Sequence, residues 1–133
     1  GLVKAVGLSN YGTKRLKYVH EKLSKRGVPI TTLQVQYSLL STYPVTELGL
    51  KDVCDELGIK LIAYSPLALG ILTGKYGQNK PLPNGIRGLL FRQLLPKIQP
   101  LLDCVREIAL SRHKTHSQVA LNWCICKDII TYS

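Results

Sequence analysis

The chain of 133 residues contains no methionine, one tryptophan and one phenylalanine, and only 8 acidic residues against 18 lysines and arginines. It also has no apolar run approaching the ~20 residues that a membrane-spanning helix needs, so we expect no membrane partner. A hydrophobic share of 45% excludes a disordered chain. Because no methionine is present and the first residues already look like a strand, we expect the chain to be a piece of a longer protein.

Cysteine and histidine patterns give no support for a metal site. None of the four cysteines forms a Cys-x-x-Cys pair. These cysteines are Cys54, Cys104, Cys124 and Cys126. We expect reduced, mostly buried thiols, which fits an intracellular or organellar compartment. His113 and His116 are three residues apart, but a helix cap is predicted between them, so we predict no metal ligands.

The common phosphate-binding motifs are missing as well. No Gly-x-Gly-x-x-Gly follows any predicted strand, which argues against a doubly wound dinucleotide-binding fold. Gly70 and Gly74 precede Lys75 but are separated by three residues, whereas a P-loop has four. Tyr76 then stands where a P-loop needs a hydroxyl residue for magnesium. The sequence therefore argues against a doubly wound dinucleotide-binding fold and does not contain a P-loop.

The formal net charge is +10, and the most basic stretch covers residues 14–26. Leu16, Val19 and Leu23 keep helical spacing there, so the basic side chains fall on the solvated face of a helix. A stripe for nucleic acid is the alternative interpretation of the same stretch. We predict no nucleic-acid partner, and we retain a basic nucleic-acid-binding domain as one alternative function.

Hydrophobic periodicity predicts the order β-α-β-α-β-loop-α-α. The strands are predicted at 2–8, 31–37 and 59–63. The first helix is expected to begin with Thr13 as N-cap and to end near Arg26, with Gly27 at the C′ position. A short helix follows from Leu50 and is stopped by Gly58. Successive β-α-β units indicate a parallel sheet.

The last part of the chain is predicted to contain a long irregular loop, 77–95, and then two helices. A buried face is expected on the first of them, formed by Ile98, Leu101, Leu102, Val105, Ile108 and Ala109. Thr115 and Gln118 predict a capping box at the start of the second helix, with His116 exposed at its first position. Ile129 and Ile130 could begin another strand.

Polar side chains recur where the predicted strands end. Ser9 and Asn10 follow the first strand, Gln34 and Gln36 lie in the second, and Tyr64 and Ser65 close the third. In a parallel barrel these ends form the active face. Amides there can bind a carboxamide, an aromatic ring can stack on a heterocycle, and a glycine-lysine loop can hold phosphates. A nicotinamide dinucleotide site is one interpretation, and a plain polar loop is the other.

Several segments jointly resemble the aldo-keto reductase family, in its C-terminal half. They are residues 6–11, 34–40, 63–76 and 115–123. The sequence of these segments is most similar to that of plant, plastid-type members, and the resemblance runs to about Lys127. His116 stands where the family usually has proline, and the segment after Lys127 does not resemble the family's.

The resemblance implies an α/β fold, a partial (β/α)8 TIM barrel in which strands five to seven and their helices are present and the barrel is not closed. The domain implied for residues 1–133 is the C-terminal part of an NADP-dependent oxidoreductase domain, truncated at both ends. The implied cofactor is NADP (NADPH). The cofactor-binding residues implied are Ser9, Asn10 and Gln34 for the carboxamide, Tyr64 stacked on the nicotinamide, and Ser65, Pro66, Leu67, Ala68, Leu69, Gly70 and Lys75 around the pyrophosphate.

No catalytic residue is implied for this chain, because the family's catalytic Asp, Tyr, Lys and His lie on strands that would precede Gly1. The expected function is that of an NADPH-dependent reductase of aldehydes and ketones, with a small-molecule carbonyl substrate, and the 133 residues alone are expected to be inactive. The alternative within the family is a non-catalytic NADP-binding regulatory subunit. The expected location is intracellular, in a plastid (chloroplast) or the cytoplasm. The sequence leaves the oligomeric state open.

Overall fold

The computed structural model describes residues 2–77 and 80–132. The chain forms two compact units, one made of Gly1–Pro66 with Cys124–Ser133 and the other of Leu67–Trp123. The first unit contains the sheet, and the second contains the loop that follows the third strand and most of the two long helices. Each unit is described by itself below.

Four parallel strands form the sheet of the first unit in the order β1-β2-β3-β4. They are β1 (Val6–Ser9), β2 (Ile30–Gln36), β3 (Lys60–Tyr64) and β4 (Ile130–Tyr132). Ser9 lies beside Gln34, Gln36 beside Tyr64, and Tyr64 beside Tyr132. The predicted parallel sheet is confirmed, and the segment at Ile129 and Ile130 does lead into a fourth strand.

Helix α1 (Thr13–Ser24) connects β1 to β2, while the single turn α2 (Tyr43–Thr46) and helix α3 (Leu50–Glu56) connect β2 to β3. The prediction of Thr13 as N-cap is wrong, because Gly12 is the cap residue and its carbonyl accepts from the Leu16 N–H at 2.9 Å. Gly27 has φ +69° and lets the Val28 N–H donate to the Leu23 carbonyl. The chain therefore leaves α1 as predicted. The turn α2 was not predicted.

The prediction of an irregular loop over 77–95 is wrong for the second half of that range. Helix α4 runs over Ile86–Ser111 and includes Pro96 and Pro100. Both prolines are exposed, while Phe91, Leu95 and Leu102 on the same helix are buried. The buried stripe thus continues at helical spacing, and its burial outweighs the backbone hydrogen bonds that the prolines remove. Ile108 was expected in the buried face but is 43% exposed.

Helix α5 (His116–Ile125) begins with the predicted capping box. The Thr115 N–H donates to Gln118 Oε1 at 2.9 Å, and the Gln118 N–H donates to Thr115 Oγ1 at 3.2 Å. The expectation of an exposed His116 is wrong, since its side chain is half-buried. Gly74 explains this, because a Cβ added there would lie 2.9 Å from the His116 ring.

Each unit has its own buried residues. Leu33 and Val35 of β2 and Tyr37 directly after it are buried at alternate positions, as predicted. In the sheet unit they are joined by Leu16, Ile30, Leu50, Ile59, Leu61, Ala63 and Ile129. The second unit buries Ile71, Leu72, Phe91, Leu95, Leu102, Val105, Ala109 and Ala120.

The four thiols divide evenly between interior and surface. Cys54 and Cys124 are buried, whereas Cys104 and Cys126 are exposed, so the expectation of mostly buried cysteines is wrong for half of them. Burial raises the pKa of Cys54 to about 11, with a smaller contribution from the neighbouring Asp55 carboxylate. Burial also raises the pKa of Cys124. The two interior thiols are therefore protonated at neutral pH and poor nucleophiles.

Candidate functional site

Ser9, Gln34 and Tyr64 share one face of the sheet near its C-terminal edge. Register places Ser9 beside Gln34 and Gln36 beside Tyr64, and in-register residues of parallel strands point to the same side. The buried apolar residues of β2 alternate with Gln34 and Gln36, so the glutamines lie on the opposite face. Gln34 is half-buried and Gln36 is exposed.

Asn10 and Tyr64 are brought into direct contact at this edge. The Tyr64 hydroxyl donates to Asn10 Oδ1 at 3.2 Å across 54 residues of sequence. The Asn10 N–H donates to the Gln34 carbonyl at 2.8 Å, which fixes the backbone of Asn10 to β2. Asn10 has φ +59°, a left-handed conformation that Asn tolerates better than most residues. The ends of three strands thus bring the carboxamide side chains of Asn10 and Gln34 and the ring of Tyr64 to one edge of the sheet.

The segment after β3 turns sharply and has an unusual backbone. Ser65 has φ +52°, and Pro66 is buried. In the second unit, Ala68, Leu69 and Gly70 are three consecutive residues with positive φ, at +49°, +55° and +87°. Leu69 and Gly70 form a kink within the short 3-10 segment Ala68–Thr73. Consecutive N–H groups in such turns can form a concave anion-binding surface.

Internal hydrogen bonds hold this loop in shape. The Gly70 N–H donates to the Leu67 carbonyl at 2.9 Å, and Thr73 Oγ1 donates to the Gly70 carbonyl at 2.7 Å. The Lys75 N–H donates to Thr73 Oγ1 at 3.2 Å. The Lys75 ammonium is exposed and lies 5.6 Å from the centre of the Tyr76 ring. Lys75 is therefore a cation at the exit of a loop that is already ordered.

Arg87 is a residue that the sequence reasoning missed. Its guanidinium donates to the Leu69 carbonyl and lies 5.4 Å from the centre of the Phe91 ring. Phe91 in turn meets Tyr76 edge to face, with ring centres 5.1 Å apart. Arg87 ties the first turn of α4 to the loop at Leu69, whose φ of +55° is unfavourable for a residue with a Cβ. The four-residue spacing of Arg87 and Phe91 after Gly85 is the signal that could have revealed a helix there.

No group of three or more His, Cys, Asp or Glu side chains suited to a metal occurs in residues 2–77 and 80–132. Within the same ranges, no helix combines the length and apolar character needed to cross a bilayer. The polar groups of the strand edge, in the sheet unit, are amides, a phenol and backbone N–H groups, which suit a carboxamide. The loop of the second unit has a lysine and backbone N–H groups, which suit an anion.

The sheet and the strand-edge site define an α/β protein of the parallel-barrel type, and the sequence model of the Aldo/keto reductase family matches residues 1–131. The chain belongs to the aldo-keto reductase family. The match extends past Lys127, where the resemblance judged from the motifs ended.

Relatives with known names agree with this assignment. The chain is 58% identical to the chloroplastic pyridoxal reductase of Arabidopsis thaliana over 98% of its length, which is 35% of that protein. It is 33% identical to the L-glyceraldehyde 3-phosphate reductase of Escherichia coli K12 over 95% of its length, 38% of that protein. The chain thus spans little more than a third of these relatives, and the plant-type resemblance is confirmed.

Solved structures show the same fold. A thermostable aldo-keto reductase crystallised with epalrestat superposes with a TM-score of 0.64 at 25% identity, over 96% of this chain and 36% of that one. The glycerol dehydrogenase of Gluconobacter oxydans gives 0.75 at 20% identity, over 96% and 38%. The fold is a partial (β/α)8 barrel with an unclosed parallel sheet, as expected.

Proposed function

We propose that residues 1–133 are the C-terminal part of an NADPH-dependent aldo-keto reductase domain and supply the nicotinamide and pyrophosphate side of its cofactor site. The contact between Tyr64 and Asn10 carries the proposal, because it joins the predicted stacking ring to a predicted carboxamide-binding residue. Family membership supports an oxidoreductase. NADPH would supply the hydride, and this chain's residues would bind and orient the cofactor.

The predicted residues divide among three proposed roles. Ser9, Asn10 and Gln34 would bind the carboxamide, and Tyr64 would cover one face of the nicotinamide so that only the other face meets a substrate. The loop 65–70 and Lys75 would hold the pyrophosphate. We add Arg87 to this set as a positioning residue, because it binds the Leu69 carbonyl and stabilises the left-handed turn of the loop.

The substrate of the whole protein is proposed to be a small aldehyde or ketone. Pyridoxal is the first compound to test, because the Arabidopsis relative is named as a pyridoxal reductase. The name of that relative also supports a plastid as the location, with the cytoplasm as the alternative. We propose neither nucleic acid nor membrane as a partner.

Carbonyl reduction also needs a proton donor within about 3 Å of the substrate oxygen. The family's catalytic Asp, Tyr, Lys and His have no counterpart among these 133 residues. We therefore propose that the chain alone binds cofactor without turnover. Oxidation of NADPH with pyridoxal or another reactive aldehyde, above the rate of a denatured sample, would contradict this.

Titration of the purified chain with NADPH, followed by cofactor fluorescence, tests the binding role directly. Tyr64→Ala should weaken binding by about tenfold, since stacking of an aromatic ring on a base contributes ~1–3 kcal/mol. Tyr64→Phe keeps the ring and loses only the hydroxyl bond to Asn10, so its effect should be several-fold smaller. Tyr18→Ala removes an exposed ring on α1 and serves as the control.

Two results would overturn the cofactor assignment. One is equal binding by Tyr64→Ala and Tyr18→Ala. The other is an absence of saturable NADPH binding by a chain whose circular dichroism shows that it is folded. Comparing NADPH with NADH in the same titration then determines which cofactor is preferred.

A further inference from the structure

A cavity of about 240 Å³ lies within the Leu67–Trp123 unit, beside the end of the proposed pyrophosphate loop. Its walls come from Gly74, from the middle of α4 and from the first residue of α5. One water needs only ~15 Å³ of such volume, so the cavity has room for a ligand of several atoms. None of the cofactor-binding residues proposed above lines it.

Gln99 gives the cavity an unsatisfied acceptor. Its Nε2 donates to Asp103 Oδ1 at 3.1 Å, and this contact fixes the orientation of the amide, because a carboxylate can only accept. Gln99 Oε1 is buried and has no hydrogen-bond partner among the described residues. A buried carbonyl oxygen without a donor is costly, so a ligand that donates a hydrogen bond there gains affinity.

Among the other polar side chains that line the cavity, positive charges outnumber negative ones. The lining contains two cationic side chains, Lys80 and Arg106, and one carboxylate, Asp103. The Asp103 Oδ1 atom is already engaged, since it accepts from Gln99 and from Arg106, the latter at 3.1 Å. Lys80 Nζ donates to the Gly74 carbonyl at 2.5 Å, so two of the three N–H donors of Lys80 are left for other partners. His116, at the N-terminus of α5, adds a ring and the positive end of a helix dipole.

We propose that this cavity binds a small oxyanion that carries its own O–H group, and that inorganic hydrogen phosphate is the simplest such ligand. The anionic oxygens pair with Lys80 and Arg106, and the protonated oxygen donates to Gln99 Oε1. Sulfate has the same size and charge and lacks the donor, so the site discriminates between the two ions. The proposal does not depend on the proposed function.

The test follows the backbone amide signals of Gly74 and Tyr76 by ¹H–¹⁵N NMR while phosphate, sulfate or methyl phosphate is added at about pH 8. With a second pKa near 6, methyl phosphate is fully ionised there and has no donor. Phosphate should bind about tenfold more tightly than either of the others, the gain expected for a hydrogen bond to a charged ligand. Equal binding of phosphate and methyl phosphate would instead indicate a site for phosphomonoesters and overturn the proposal.

Variants locate the ion. Gln99→Leu should abolish the preference for phosphate, and Arg106→Gln should weaken the binding of all three ions about tenfold. Lys97→Gln removes the same charge from the exposed side of α4 and should change nothing beyond twofold. If Gln99→Leu is unfolded by circular dichroism, Gln99→Met replaces it with an unbranched side chain of similar length.

Three outcomes would overturn the proposal. The first is a phosphate affinity no higher than that of sulfate in the parent chain. The second is equal weakening by Lys97→Gln and Arg106→Gln, which would show general charge attraction only. The third is loss of phosphate binding in Lys75→Gln with retention in Arg106→Gln, which would place the ion in the loop.

Discussion

Individual residues with positive φ mark the places where this chain could be shaped for a ligand. Asn10, Ser65, Ala68 and Leu69 are not glycines, yet each has a left-handed backbone. Such conformations persist only where surrounding contacts hold them, and they concentrate at functional sites. Here the contacts include the backbone bond from Asn10 to β2 and the Arg87 bond to Leu69. These four residues belong to the proposed cofactor-binding set, whereas His113 and Asp128, the other non-glycine residues with positive φ in the described part of the chain, lie in the turns that end α4 and α5.

Gly74 allows a prediction at this scale. Gly74→Ala should lower the free energy of unfolding by roughly 2 kcal/mol, because its φ is +76° and the new Cβ would lie 2.9 Å from the His116 ring. Urea unfolding measures the change. Gly58→Ala has a similar φ of +68° with open space around the Cβ and should cost only about half as much.

A double variant separates the two causes of that loss. His116→Ala in the Gly74→Ala background removes the ring that the new methyl group meets, so part of the stability should return. Equal losses in Gly74→Ala and Gly58→Ala, with no recovery in the double variant, would show that crowding against His116 is unimportant.

At the scale of elements, β4 is the strand with the fewest pairs, and a charge pair stands beside it. Lys60 at the start of β3 donates to Asp128 Oδ2 at 2.8 Å, two residues before β4. This hydrogen bond raises the pKa of Lys60 and lowers that of Asp128 from its ordinary 3.8. Lys51 adds a weaker attraction at 3.8 Å. The pair anchors the connection from α5 to β4.

Asp128→Asn should therefore lower the stability of the chain near neutral pH by a small amount, since the groups are exposed. A carboxylate with a lowered pKa stabilises above the ordinary pKa of Asp, and this contribution disappears as the pH falls through the folded-state value. The melting temperatures of variant and parent should converge at about pH 2. Asn also tolerates the φ of +54° at this position.

Glu107→Gln removes an exposed carboxylate from α4 and is the matched control for that experiment. A difference between Asp128→Asn and the parent that persists unchanged at about pH 2 would mean that the ion pair is not its cause. The comparison thus tests the charge pair apart from any effect of the side chain's shape.

For the whole molecule, the open sheet leaves two edge strands that can pair with other chains. The outer strands β1 and β4 each pair on one side only within the described sheet. Ile130 and Tyr132 on β4 are 50% and 69% exposed. Unpaired strand edges with apolar side chains favour association with other strands. In a closed barrel these edges would be covered by neighbouring strands.

The 133-residue chain is therefore expected to self-associate as its concentration is raised, as judged by sedimentation velocity. Ile130→Lys places a charge on the β4 edge and should shift the chain towards monomer. Ile86→Lys, at an 86% exposed position outside the sheet, should not. A chain that stays monomeric throughout, or equal effects of both substitutions, would contradict a role for the β4 edge.

The sequence by itself determined β2, β3, the parallel sheet, the capping box at Thr115 and the family, because each depends on local periodicity or on short motifs. Periodicity predicts the first strand at 2–8, whereas β1 runs over Val6–Ser9, and it leaves β4 open. Only the tertiary structure decided that α4 continues through Pro96 and Pro100, since the continuing buried stripe outweighs the local preference of proline. The same holds for the half-burial of His116 against Gly74, for the bond from Arg87 to Leu69, and for the contact of Tyr64 with Asn10. These three contacts join residues 18 to 54 positions apart, and no local pattern records such contacts.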